Sequence, residues 1–160
     1  MGMDVIGRAR GDEIGSYFRN SIWMWHPLAA YCQRVAPEIT SACRDWHTND
    51  GDGLDGARAS TLADALQAEI DSGRAAHFER RRNSEIEMLP NEACESCSST
   101  GFRVRVSRGD PNDPNEGRLK CSRCNGDGYT RAWAANYGFS VANVQAFANF
   151  LRASGGFSIC

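Results

Sequence analysis

The chain has 160 residues, 41% of them hydrophobic, with a formal net charge of −2. That is enough apolar material for a real core, and the near-neutral balance gives the molecule as a whole no electrostatic pull towards nucleic acid. No apolar run reaches the ~18 residues a membrane-spanning helix needs, and the opening residues lack the apolar stretch of a secretory signal, so a reducing cytoplasm and no membrane are expected.

Taken in chain order, Asp12 is placed to cap a helix through Glu13–Asn20, with Ile14, Tyr17 and Phe18 on one stripe. A second helix is predicted to begin at Pro27, where a missing N–H costs nothing, and to carry Leu28, Tyr31, Cys32 and Val35 on one face until Pro37. A third places Ile39, Ala42, Cys43 and Trp46 for burial. These three helices would form a small bundle, with Cys32 and Cys43 as small buried hydrophobes.

The stretch Tyr17–Leu28 gathers Trp23, Trp25, two other aromatics, Arg19 and Asn20. At helical spacing Phe18, Ile22 and Trp25 share a face while Arg19 and Trp23 lie on another. A tryptophan off the main face can stack on a base or anchor a partner, which makes Arg19, Trp23 and Trp25 candidate contacts. The alternative is that all of it is core.

After Trp46 the chain becomes polar and glycine-rich, from His47 to Gly56. Read as a calcium loop starting at Thr48, Asp50, Asp52 and Gly53 fall at positions 3, 5 and 6. Thr48 and Ala59 occupy the first and last positions, where carboxylates are needed, so the pattern fails. The loop reads as a structural turn and helix cap, with a small-ligand or divalent-metal site built from His47, Asn49, Asp50, Asp52 and Asp55 as the alternative. A helix follows with Leu62, Leu66 and Ile70, closed by Gly73. Another, highly charged, runs from Ala75 to Met88 on Phe78 and Ile86 and carries Arg80-Arg81-Arg82; Pro90 stops it.

Next come Cys94-x2-Cys97 and Cys121-x2-Cys124, each followed by a turn of small residues: Ser98-Ser99-Thr100-Gly101 and Asn125-Gly126-Asp127-Gly128. The spacing presents four thiolates to one tetrahedral Zn²⁺. Between the pairs Phe102, Val104 and Val106 alternate with Arg103, Arg105 and Ser107, and turn-forming residues 108–117 lead to a return strand at Leu119, a hairpin clamped at its base by zinc. Arg103, Arg105, Arg118, Lys120 and Arg123 would line this ribbon as candidate phosphate contacts. Finally Ser140 is an N-cap for a helix whose Val141, Val144, Phe147, Ala148 and Leu151 keep the i, i+3, i+4, i+7 rhythm until Gly155-Gly156.

Cys121-Ser-Arg-Cys-Asn-Gly-Asp-Gly128 resembles in full the C-x-x-C-x-G-x-G repeat of the cysteine-rich domain of DnaJ-type (Hsp40) chaperones, and Cys94–Gly101 resembles it except that Ser99 stands at the first glycine. The resemblance covers residues 94–130 alone. It implies metal binding by the four cysteines and not co-chaperone activity, because His26-Pro27 continues to Leu28 and no His-Pro-Asp tripeptide is present. Tyr17, Phe18, Arg19, Asn20, Trp23, Trp25, Pro27 and Leu28, with the Asn-Asp-Gly turn and the segment from Phe139 to Ile159, resemble uncharacterised bacteriophage and prophage proteins, implying an accessory role such as binding and blocking a host or defence component.

The sequence therefore predicts an α+β, mainly α fold: a helical body (1–90), an inserted four-cysteine zinc-binding hairpin (91–131), and a C-terminal helix (132–160) packing back on the body. The expected function is non-catalytic binding of a host macromolecule, chiefly a host protein, with one structural zinc. A nucleic-acid-binding zinc ribbon is the first alternative, and a divalent-metal enzyme or small-ligand binder using the 47–55 loop is the second.

Overall fold

The computed structural model describes residues 2–9, 11–104 and 118–160. The chain divides into two units: Met1–Ile86 together with Tyr137–Cys160, and Glu87–Asn136. Among the described residues 48% are helical and 19% lie in strands, so the protein is mixed α/β.

In the first unit, β1 (Gly2–Gly7) buries Met3 and Val5 and turns Asp4 and Ile6 outward, the period-two pattern of a half-buried strand. It pairs antiparallel with β2 (Tyr17–Ser21), where Val5 faces Phe18 and Asp4 faces Arg19. The segment expected to be the first helix is thus a turn and a strand. Asp12 does accept hydrogen bonds from the N–H groups of Ile14 and Gly15, as an N-cap would. The chain does not continue as a helix; the backbone of Gly15 passes against Ala153, where a Cβ would lie 2.2 Å from the carbonyl oxygen. The ladder to β1 satisfies the backbone instead.

Ser21 then caps α1 (Ile22–Val35), which starts five residues before the predicted Pro27 and carries that proline inside it. The predicted third helix is a single turn, α2 (Pro37–Thr40). Trp46 is buried beyond that turn, donating from Nε1 to the Thr40 carbonyl at 3.0 Å, while Trp25 donates to the Trp46 carbonyl at 2.6 Å. The two indoles stack with ring centroids 6.3 Å apart. Burial of such rings removes ~150–250 Å² each from water, and both of these indole N–H groups have their acceptors.

A short strand, β3 (Gly53–Asp55), leads into α3 (Gly56–Asp71), capped by Asp55, and α4 (Arg74–Glu87) follows. The last helix, α5 (Val141–Ser154), is capped by Ser140 and packs chiefly on α3. After Gly155, in the left-handed region, the chain returns as β8 (Gly156–Ile159). This strand inserts between β1 and β3, giving a sheet ordered β2-β1-β8-β3 with every neighbour antiparallel. Phe157 and Ile159 point from it into the core formed with Trp25, Trp46, Leu62, Leu66, Phe147 and Leu151. A sheet, not a helical bundle, therefore closes the body.

The second unit contains two short ladders. β4 (Glu92–Ala93) pairs with β7 (Tyr129–Thr130), and β5 (Phe102–Val104) pairs with β6 (Arg118–Lys120), all antiparallel. The predicted hairpin is thus present at its base; Arg105, Val106 and Ser107 and the turn at 108–117 lie outside the described residues. No described helix is long and apolar enough to cross a membrane.

Candidate metal centre

The four cysteines are the buried core of the second unit. Their sulfurs all lie within 4.8 Å of one another, with Cys94 Sγ 3.8 Å from Cys121 Sγ and Cys97 Sγ 3.7 Å from Cys124 Sγ. A tetrahedron with metal–sulfur bonds of ~2.3 Å has edges of ~3.8 Å, so the cluster can hold one metal ion.

Local backbone geometry explains how. After each Cys-x2-Cys the first, second and fourth following residues have positive φ: Ser98 (50°), Ser99 (64°) and Gly101 (77°) in one knuckle, Asn125 (50°), Gly126 (93°) and Gly128 (78°) in the other. Ser99 takes the left-handed conformation even though it bears a side chain. The knuckles also interlock with approximate two-fold symmetry. The N–H of Cys94 donates to the Gly128 carbonyl at 2.9 Å, and that of Cys121 to the Gly101 carbonyl at 2.8 Å. Each ladder joins the strand entering one knuckle to the strand leaving the other. A Cβ on Gly101 would lie 2.2 Å from the Gly126 oxygen, and one on Gly128 2.3 Å from that of Ser99, so both positions need glycine for closeness as well as for φ.

The electrostatics favour a cation. The N–H of Cys124, with that of Arg123, holds the Cys121 thiol down to about 6, while burial and then hydrogen bonding to the other cysteines push Cys94 up to about 11. One thiolate is stabilised by the turn itself; a second beside it needs a positive charge to offset repulsion. The Gly128 N–H donates to Cys124 Sγ at 3.3 Å, further fixing the sulfur array. Cys32 and Cys43, by contrast, are buried in the body with thiols raised first by desolvation. They are inert packing groups.

The other sequence-derived residues scatter. Trp25 is fully buried and has no face for a base or partner. Trp23 meets Tyr137 edge-on at 4.9 Å, and Arg19 lies 3.5 Å from Asp4 in an ion pair. Arg103, Arg118 and Lys120 are exposed on the β5–β6 ladder; Arg123 is exposed on the second knuckle; Arg105 falls outside the described residues.

In the 47–55 loop, Asp52 accepts from the N–H groups of Arg44, Asp45 and Gly53, and Asp55 caps α3 and pairs with Arg58. Asn49 and Asp50 are exposed. Among the described residues these acids form no metal-sized cluster. His47 instead meets His26, the two Nδ1 atoms 2.8 Å apart. Nothing in the spacing of two histidines 21 residues apart announced that pairing.

No family model, curated protein or solved structure matches the chain.

Proposed function

We propose that the chain is a non-catalytic, zinc-containing binding protein, a phage or prophage accessory protein that binds a host macromolecule in the cytoplasm. Its target would be a host protein, with inhibition of a host or defence component as the consequence. The observation that carries the reading is the four-sulfur cluster, whose spacing fits Zn²⁺. Zinc held there by Cys94, Cys97, Cys121 and Cys124 would brace a unit too small for a hydrophobic core of its own. Four thiolates fill the tetrahedron and leave no position for a reactive water, which favours structure over catalysis.

A protein target is favoured by the surface of the same unit. Phe102 (47%), Leu119 (49%), Tyr129 (54%) and Trp133 (57%) are about half exposed on it. Large aromatic groups held rigidly at a surface are typical anchors of protein interfaces. The phage setting rests on the resemblance carried by Tyr17–Leu28. Native mass spectrometry of the tagged chain recovered from bacterial lysate tests the reading: one zinc and a host protein in fixed ratio are expected. A metal-free chain would overturn the zinc assignment, and a zinc-loaded chain that retains no macromolecule would overturn the binding role.

Nucleic-acid binding is the second reading, supported by Arg103, Arg118 and Lys120 sharing one exposed ladder with no carboxylate partner among the described residues. It requires affinity that falls steeply with salt; salt-independent binding would exclude it.

A further inference from the structure

The body carries a second constellation, independent of the metal. A groove lined by residues of α1 and α4 contains two cavities of about 550 and 510 Å³, and Arg34 and Phe78 line both. Each is large enough for part of a small ligand. Their chemistry differs.

The first cavity is edged by arginines. Arg34, Arg74 and Arg81 line it, with His77 and a single carboxylate, Glu69. That carboxylate is already committed, accepting from Arg74 Nε at 2.7 Å and from the Tyr31 hydroxyl at 3.0 Å. The second cavity is walled by the rings of Tyr31, Phe78, Tyr137 and His26, with Arg82 and Glu85 at its edge. Glu85 lies 3.6 Å from Arg81. Arg34 and Arg82 thus have no carboxylate partner among the described residues, in a chain whose overall charge is −2.

Arg34 sits where the cavities meet. Its guanidinium carbon lies 4.8 Å from the Tyr31 ring centre and 4.3 Å from that of Phe78. Stacking against those rings and a hydrogen bond to the Tyr31 hydroxyl fix the guanidinium plane, and Arg34 is exposed, so its remaining N–H groups can meet a phosphate. Tyr31 and Phe78 are themselves locked, their rings 5.0 Å apart and each 4.7 Å from Phe139. An aromatic slot joined through a pre-oriented arginine to a cationic slot matches a ligand in which a planar ring is linked to a phosphate.

We infer that the α1–α4 groove binds a nucleoside monophosphate unit, with the base beside Phe78 and Tyr137 and the phosphate at Arg34 beside Arg74 and Arg81. The unit can come as a free nucleotide or as part of a single strand.

The test is calorimetric titration of the full chain at low salt with AMP, UMP, adenosine and inorganic phosphate. AMP or UMP should bind one to one, with adenosine and phosphate each weaker by about tenfold or more. Arg34→Gln should weaken the nucleotide by about tenfold, and Tyr137→Leu should weaken nucleotide but not phosphate. Arg80→Gln, on the same helix as Arg81 but lining neither cavity, should change nothing. Arg34 is exposed, so circular dichroism should confirm that its variant folds. Absence of nucleotide binding, phosphate binding as tightly as AMP, or an Arg80→Gln effect equal to that of Arg34→Gln would each overturn the inference. Oligothymidylate displacing AMP would support it with a strand as the source, and AMP binding undisturbed by oligothymidylate would support it with a free nucleotide.

Discussion

Gly128→Ala gives the most direct test of how the two knuckles would support the proposed zinc. The new Cβ would lie 2.3 Å from the Ser99 carbonyl oxygen and 3.0 Å from its carbon, so the knuckles would have to part by about 1 Å to restore ordinary contact. The substitution also places a Cβ at φ 78°, which costs ~1–2 kcal/mol. Parting the knuckles strains the hydrogen bond from Cys94 N–H to the Gly128 carbonyl, worth another ~1 kcal/mol. The total is about 3 kcal/mol. Because folding of such a unit and binding of its metal are one reaction, that penalty appears in the zinc dissociation constant. At ~1.4 kcal/mol per decade it weakens zinc by about 100-fold. Competition with a chromophoric chelator measures this, with the wild-type chain alongside. A variant that holds zinc within about threefold of wild type would refute the idea that knuckle-to-knuckle contact sets metal affinity.

Ser99→Gly should act in the opposite sense, relieving a left-handed serine and tightening zinc by up to about fivefold, a gain limited by the added freedom of the unfolded chain. Cys121→Ser with Cys124→Ser should abolish stoichiometric zinc, while calorimetry still records the unfolding of the body, whose core contains none of these cysteines. Asp52→Ala removes the acceptor of three backbone N–H groups and should lower the body's stability by ~1–3 kcal/mol in urea unfolding. His47 is held below the usual imidazole range by burial and then by the charge of His26. The unfolded chain therefore binds that proton more tightly, and stability present above pH ~6.5 is lost as pH falls through the folded value. His47→Gln should flatten the decline in melting temperature below that pH, and an unchanged slope would refute the linkage.

Where one element's own pattern decided its structure, the sequence was legible. Leu62, Leu66 and Ile70 marked α3, and Val144, Phe147, Ala148 and Leu151 marked α5 with its Ser140 cap, because an amphipathic helix writes its burial into local spacing. The four clustered cysteines were legible for a similar reason, since the spacing within each pair and the turn chemistry are both local. The sheet was not. Tyr17 and Phe18 fit a helical stripe with Ile14, and only pairing with β1, more than ten residues away, makes them a strand. β8 offers four residues whose role depends on partners at both ends of the body. The His26–His47 contact and the α1–α4 groove depend on tertiary packing that no local period encodes.

The place of β8 in the sheet has a consequence for the order in which the protein can be made. As the chain leaves the ribosome, all four cysteines and both knuckle turns emerge before α5 and β8 do. The body at that moment lacks the strand that joins β1 to β3, together with Phe147, Leu151, Phe157 and Ile159 of its core. The four-cysteine unit can therefore close while the body is still open, and β8 must enter between two strands whose edges wait exposed until nearly the last described residue.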